Sequence, residues 1–113
     1  MAETIFSKII RKEIPADIIY ETETVLAFKD IHPKAPHHIL VIPKITDITK
    51  LTDFDSKKHA AILADLFDAV NQIAKNIGVD EKGFRVIINC GPDGGQEVYH
   101  LHLHLIAGKK LGF

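Results

Sequence analysis

The chain has 113 residues, 46% of them hydrophobic and 26% charged, which is the balance of a globular protein rather than a disordered one. That length predicts a single domain over residues 1–113, and the lone cysteine, Cys90, excludes an internal disulfide and favours a reducing compartment, the cytoplasm. The formal net charge is −1 and no apolar run is long enough to span a bilayer, so neither nucleic acid nor a membrane is expected as a partner.

The first part of the chain predicts one short helix and three strands. Apolar residues at helical spacing predict a helix over residues 5–11. β-branched and aromatic residues predict strands over 17–21 and 24–30, joined as a hairpin by a short polar turn. Two prolines make residues 32–36 a rigid loop, and the apolar run 38–43 then predicts a strand that is buried on both faces.

The longest predicted element is a helix over residues 56–77. Its apolar residues recur at steps of three and four, with polar residues between them, which is typical of an amphipathic helix packed on a core. Asp55 or Ser56 is suited to cap the start, and Gly78 is suited to close the end.

The last part of the chain predicts two more strands separated by a glycine-rich loop. Residues 84–89 form one strand, residues 90–96 the loop, and residues 99–105 a strand that ends near 107–108. Five strands, one long helix and short connections predict an α+β domain with a mainly antiparallel sheet. So small a sheet leaves an open edge, which predicts a homodimer.

Histidine and leucine alternate along the last strand. Because successive side chains of a strand point to opposite faces, three imidazoles share one face and three leucines the other: His100, His102 and His104 against Leu101, Leu103 and Leu105. The spacing alone leaves three interpretations open, namely a zinc site, buried structural histidines, and histidine catalysis. In the catalytic interpretation, a positively biased cluster would suit an anionic substrate.

Other residues favour a phosphate-bearing substrate over a metal. Gly94 and Gly95 allow backbone N–H groups to approach an anion, with Asn89 and Gln96 as amide donors, although a plain turn is the alternative. Asp30 is suited to accept hydrogen bonds from a ribose diol, or else to form an Asx turn. An apolar slot for a base is expected from residues that would otherwise be core: Phe6, Ile9, Phe28, Ile31 and Leu40.

Three segments resemble the histidine-triad superfamily, in particular its nucleotide-binding (Hint) branch: residues 28–31, 35–44 and 94–105. The resemblance implies a HIT-like fold and a cytosolic homodimer whose two sheets join into one. It also implies a purine nucleoside phosphoramidase that converts adenosine or guanosine 5'-phosphoramidates to AMP or GMP, with aminoacyl-adenylates as further candidate substrates. No metal or other cofactor is implied.

The resemblance also implies a role for each histidine of the site. His102 is similar to the nucleophile that becomes transiently nucleotidylated, and His104 to the residue that binds the phosphoryl oxygens and assists the leaving amine. His100 matches the residue whose backbone carbonyl holds the other ring nitrogen of the nucleophile, and His38 matches a proton-relay partner. The implied nucleotide contacts are Asp30 and Ile31 at the ribose and base, and Asn89, Gly95, Gln96, Glu97, His102, Leu103 and His104 around the phosphate.

Two residues differ from the usual pattern of the family, and a third position, often Ser or Thr in eukaryotic members, varies within it. His32 and His37 stand where small or hydroxyl residues are usual, and they would add positive charge near the site unless they merely lie in a surface loop. Glu97 is typical of bacterial members.

Two other functions stay open: hydrolysis of dinucleoside polyphosphates, and nucleotide binding or scaffolding without catalysis.

Overall fold

A computed structural model describes residues 3–113 as one sheet with a helix on each face. In chain order the elements are α1 (Ile5–Ile10), β1 (Ile18–Glu21), β2 (Val25–Lys29), β3 (His37–Pro43), a 3-10 turn (Leu51–Asp53), α2 (Ala60–Asn76), β4 (Arg85–Ile87) and β5 (Leu103–Ala107). Neither helix among the described residues is long and apolar enough to cross a membrane.

The five strands lie in the order β1-β2-β3-β5-β4, and every neighbouring pair is antiparallel. The prediction of an antiparallel α+β fold is therefore confirmed. Strand β5 lies between β3 and β4, with His104 opposite Leu40 and His38 opposite Ile106. Since His38 and His104 are diagonal neighbours on one face of this pair, the register itself brings them together.

The alternation of strand residues produces two cores, one on each face of the sheet. On the first face α2 packs through residues such as Leu66 and Ile73 against Val25 and Val41. The three leucines that alternate with histidines also join this core: Leu101, Leu103 and Leu105. On the second face α1 packs Phe6 and Ile9 against a smaller set of strand residues: Leu26, Phe28, Leu40 and Ile42. The histidines lie on this second face.

Helix α2 begins at Ala60, so the predicted start at residue 56 is wrong. Residues 55–59 instead form a separate turn, in which the His59 amide donates to the Asp55 carbonyl over 2.7 Å. The Asp55 carboxylate accepts from the backbone amides of Lys57 and Lys58, and thus caps this turn rather than α2. The predicted end is confirmed, since Gly78 has φ of +76° and closes the helix with Val79 in a Schellman motif.

The histidine strand is shorter than predicted, because β5 begins only at Leu103. Residues 99–102 lie outside the sheet, and β4 is limited to three residues. The alternation nevertheless persists through the irregular part, where Leu101 packs in the α2 core while His100 and His102 contact the ring of Phe6. Side-chain segregation therefore extends beyond the hydrogen-bonded strand.

Candidate active site

A cavity of about 290 Å³ lies on the α1 face of the sheet. Every residue predicted to wall a base slot lines it: Phe6, Ile9, Phe28, Ile31 and Leu40. It is also lined by most of the polar residues predicted for the site: Asp30, Asn89, Gly95, Glu97, His102 and His104. The fold thus brings together an apolar wall and a polar set from distant parts of the sequence.

Part of the cavity wall was not predicted from the sequence. Ile14, Pro15 and Ala16 line the cavity after α1 has ended, and Lys29 and Val98 contribute as well. The available signal was that residues 14–16 are apolar yet belong to no helix or strand. Such residues must pack on something, and here they cover the edge of the smaller core.

His102 is buried, and its tautomer follows from one hydrogen bond. Its Nδ1 lies 2.7 Å from the carbonyl oxygen of His100, and because a carbonyl only accepts, Nδ1 must carry the proton. Nε2 of neutral His102 then has a free lone pair. Burial lowers the pKa of His102, which keeps that lone pair available at neutral pH.

His100 does not line the cavity. Its ring is 2% exposed, and Nε2 donates to the carbonyl of Pro43 over 2.8 Å. The residue therefore faces the reacting region only through its backbone carbonyl, the role that the family resemblance implies for it. Burial also lowers the pKa of this histidine.

A second pair of imidazoles forms a chain of hydrogen bonds with a defined direction. The backbone amide of Lys34 donates to His38 Nδ1 over 3.0 Å, so the proton of neutral His38 is on Nε2. That Nε2 lies 2.9 Å from His104 Nδ1 and donates to it. Neutral His104 consequently carries its proton on Nε2, the nitrogen that is left to act as a donor to a ligand.

The four imidazoles are neutral at pH 7, so the expected positive bias of the cluster is wrong. Burial lowers the pKa of each of them, and burial together with the neighbouring imidazoles lowers the pKa of His104 to about 4. Among the described residues that line the cavity, the charged side chains are two carboxylates, Asp30 and Glu97, and one cation, Lys29.

Asp30 uses its two carboxylate oxygens differently. Oδ1 accepts from the backbone amide of His32 over 2.8 Å, which is an Asx turn. Oδ2 lies 3.4 Å from His38 Nε2 at the cavity wall. The predicted Asx turn is thus formed, and it occupies only Oδ1, so Oδ2 is left facing the site.

The glycine-rich loop is held mainly by its own hydrogen bonds. The amide of Gly95, which has φ of +80°, donates to the Pro92 carbonyl over 3.1 Å, so it is engaged in a turn rather than free for an anion. The side-chain amide of Asn89 donates one of its two Nδ2 hydrogens to the Gly94 carbonyl, and the other hydrogen remains available as a donor. The turn interpretation of the glycines is therefore the correct one for the Gly95 amide.

Two predicted phosphate contacts have their side chains elsewhere. Gln96 is buried and donates through Nε2 to the carbonyls of Thr49 and Val98, so its amide does not enter the cavity. The side chain of Leu103 packs in the α2 core on the opposite face of the sheet. These residues can reach a ligand only through their backbones.

The two other predicted histidines do not line the cavity. His32 is exposed in the loop after β2, and His37 is half-buried at the start of β3, close to Gly108. They add no side chain to the wall of the site.

Among the described residues one group of three could hold a metal ion: Asp30, His38 and His104, whose ligand atoms lie within 4.8 Å of one another. A metal on His38 Nε2 would require the proton to move to Nδ1, where the Lys34 amide already donates. Two donors would then face each other. The donor set therefore does not fit a metal ion while that backbone bond is kept.

The sequence and the fold both resemble proteins of one family. A family model described as HIT domain matches residues 11–111. The chain is 50% identical over 110 residues to the purine nucleoside phosphoramidase of Escherichia coli (strain K12), covering 97% of this chain and 91% of that protein. It is 49% identical over 111 residues to a 14 kDa zinc-binding protein of Zea mays, covering 97% and 85%. The crystal structure of a HIT family hydrolase from Legionella pneumophila Philadelphia 1 matches with a TM-score of 0.94 at 39% identity, covering 98% and 97%.

The lowered histidine pKa values predict a loss of stability in mild acid. An unfolded histidine takes up a proton near its ordinary value of 6.5, whereas folded His104 does so at about 4, so the unfolded state binds more protons between these values. We expect the free energy of unfolding, measured by urea titration, to fall as the pH is lowered through this window. His104→Gln should flatten the dependence and His32→Gln should not. An unchanged slope in His104→Gln would contradict the assignment.

Proposed function

Because the chain belongs to the HIT domain family, we propose that it hydrolyses the P–N bond of purine nucleoside 5'-phosphoramidates, releasing AMP or GMP and an amine. The purine nucleoside phosphoramidase of Escherichia coli, which is 50% identical to this chain, supports this substrate class. The single observation that carries the proposal is the bond from His102 Nδ1 to the His100 carbonyl, which leaves Nε2 as an unprotonated nucleophile at the cavity. Aminoacyl-adenylates are further candidate substrates of the same site.

The distribution of polar groups supports one orientation of the nucleotide. The base occupies the apolar wall, where the rings of Phe6 and Phe28 meet edge to face with centroids 5.4 Å apart. Ile31 is 83% exposed on the rim, and a bound base would cover it. The ribose lies against Asp30 Oδ2, which places the 5'-phosphorus towards His102.

Covalent catalysis on His102 splits a difficult displacement into two steps. In the first, Nε2 forms a bond to phosphorus, the P–N bond breaks, and its electron pair stays on the amine nitrogen. The anionic phosphoryl group raises the proton affinity of the neighbouring His38–His104 pair, which takes up one proton and passes it to the departing amine through His104 Nε2. The nucleotidylated imidazolium is stabilised by its Nδ1–H bond to the His100 carbonyl.

The second step returns the enzyme to its starting state. Water attacks phosphorus, the same His38–His104 pair accepts its proton, and the bond to His102 Nε2 breaks with the electron pair returning to the ring. The pair then releases its extra proton with the nucleoside monophosphate. Neither step needs a metal ion or a cofactor, and the protonated state of His38 Nε2 supports a metal-independent route.

Two carboxylates at the cavity favour an amine over a polyphosphate as the leaving group. Asp30 and Glu97 both line the cavity. Burial lowers the pKa of His102, and the negative charges of these two carboxylates partly oppose that lowering. A departing polyphosphate would be repelled by these groups, whereas a neutral or protonated amine would not. This observation favours phosphoramidates over dinucleoside polyphosphates.

We also propose that the protein is a homodimer of the cytoplasm whose two sheets pair through β4. That strand is at the edge of the sheet, and Val86 within it is 39% exposed. Pairing with the β4 of a second copy would satisfy the free edge and cover this side chain. Sedimentation equilibrium should give twice the mass of one chain, and a monomer at micromolar concentration would contradict the pairing.

The covalent step predicts a trapped intermediate. During turnover of adenosine 5'-phosphoramidate, rapid quenching should leave AMP on His102, detected by mass spectrometry of the peptide that contains it. His102→Ala should lose turnover by at least about a thousandfold while binding AMP with nearly unchanged affinity, since only the nucleophile is removed. Activity should survive exhaustive treatment with EDTA. Activity that is lost on chelation and restored by zinc alone would overturn the mechanism.

The charge argument predicts the effect of Glu97→Gln on substrate preference. We expect kcat/KM for diadenosine tetraphosphate, relative to adenosine 5'-phosphoramidate, to rise by about two- to fivefold, the size of one solvent-screened charge interaction. Glu81→Gln, in an exposed loop away from the cavity, serves as the matched control. A wild type that prefers the dinucleotide would show that the polyphosphate alternative is correct.

A further inference from the structure

We propose that residues 43–49, together with the Asp47–His59 pair that anchors them, position the nucleophilic imidazole of His102. This inference rests on the proposed function, because it assigns the positioning residues of that reaction. We refer to residues 43–49 as the anchoring segment. It begins with Pro43, the last residue of β3, runs through the loop that follows, and contains no residue that lines the cavity.

The backbone that carries the nucleophile is not itself held by a β-ladder. Strand β5 begins at Leu103, so the backbone of residues 96–102 has no partner strand among the described residues. His102 is the last residue of this irregular stretch, and its tautomer and orientation depend on the position of the His100 carbonyl. Something other than a β-ladder must therefore hold that carbonyl in place.

Three of the hydrogen bonds made by this stretch tie it to backbone carbonyls of the anchoring segment. The side chain of His100 donates to Pro43 over 2.8 Å, and the Leu101 amide donates to Ile48 over 2.9 Å. The third bond runs from Gln96 Nε2 to the carbonyl of Thr49 over 2.7 Å. All three donor residues are buried. The positions of these three carbonyls therefore fix where the backbone before His102 lies, and with it the imidazole of His102.

The anchoring segment is itself tied to the turn before α2 by a buried histidine. His59 is 5% exposed; its Nδ1 accepts from the Asp55 amide over 2.9 Å, and its Nε2 donates to Asp47 Oδ2 over 3.0 Å. His59 and Lys58 lower the pKa of Asp47 to about 2, so the carboxylate is ionised at neutral pH. Ile48, the next residue, is fully buried in the α2 core.

These contacts link His59 to the reacting atom without touching the nucleotide site. The path runs from the His59 ring through Asp47 to the Ile48 carbonyl, then through the Leu101 amide to the neighbouring His100 carbonyl. A displacement at the start of this path moves the nucleophile, whereas the ribose and base contacts stay in place. Because rates of attack depend steeply on the alignment of the reacting atoms, the loss should appear in kcat rather than in KM.

His59→Phe is the test variant, since it keeps a ring against Phe54 and removes both hydrogen bonds. We expect kcat for adenosine 5'-phosphoramidate to fall about tenfold with KM within about twofold of wild type. The nitrogen-bound proton of His102 Nδ1, observed by NMR, should exchange with solvent faster than in wild type. Gln72→Ala is the control, because it removes a side-chain hydrogen bond of α2, to Asn76, and neither residue bonds to the anchoring segment or lines the cavity.

A folded His59→Phe protein with wild-type kcat and an unchanged Nδ1 proton would overturn the proposal. If this variant does not fold, Asp47→Ala replaces it, since it removes the acceptor of His59 at a half-exposed position, and the same split between kcat and KM is then required. Equal changes in kcat and KM would indicate a merely structural role and also overturn it. The NMR measurement needs no substrate, so a wild type without phosphoramidase activity would refute the proposed function and leave the positioning test intact.

Discussion

The hydrogen bond from His102 Nδ1 to the carbonyl of His100 is the contact on which the proposed chemistry depends. It decides which ring nitrogen holds the proton and therefore which one keeps a free lone pair. Without that partner the imidazole would exchange between its two tautomers, and Nε2 would carry the proton part of the time. The bond is 2.7 Å long, and hydrogen bonds from His100 and Leu101 to Pro43 and Ile48 hold the backbone around it.

Burial has two opposite consequences at this site. It removes water from the imidazoles and lowers their pKa values, which keeps His102 neutral, as the proposed nucleophile has to be. It also means that the site has no positive charge of its own to offer an anionic phosphoryl group, apart from Lys29 on the wall. In the proposed reaction, binding then relies on hydrogen-bond donors such as His104 Nε2, and the proton for the leaving amine is acquired when the substrate binds.

The order of the strands explains how the donors converge. Strand β5 enters between β3 and β4, so His104 comes to lie beside His38 although they are 66 residues apart in sequence. The same insertion places the residues before β5 next to the segment that follows β3. The relay between two imidazoles and the support of the nucleophile are thus both products of one pairing, that of β3 with β5.

The sequence by itself determined the strand alternation, the family resemblance and most of the residues of the cavity. These features follow from local patterns, because a period of two assigns faces and glycine closes a helix wherever it adopts a positive φ, as Gly78 does. The start of α2 was predicted incorrectly, since Asp55 is an equally good cap for the turn before it. The local pattern offered no way to choose between these two uses.

Only the tertiary structure decided the tautomers, the neutral charge of the histidines and the structural use of Gln96. Each depends on a partner that is distant in the chain: the Pro43 carbonyl is 57 residues from His100, and the Thr49 carbonyl is 47 residues from Gln96. A proton's location and a group's pKa are set by what surrounds the side chain after folding, and no local spacing encodes that environment.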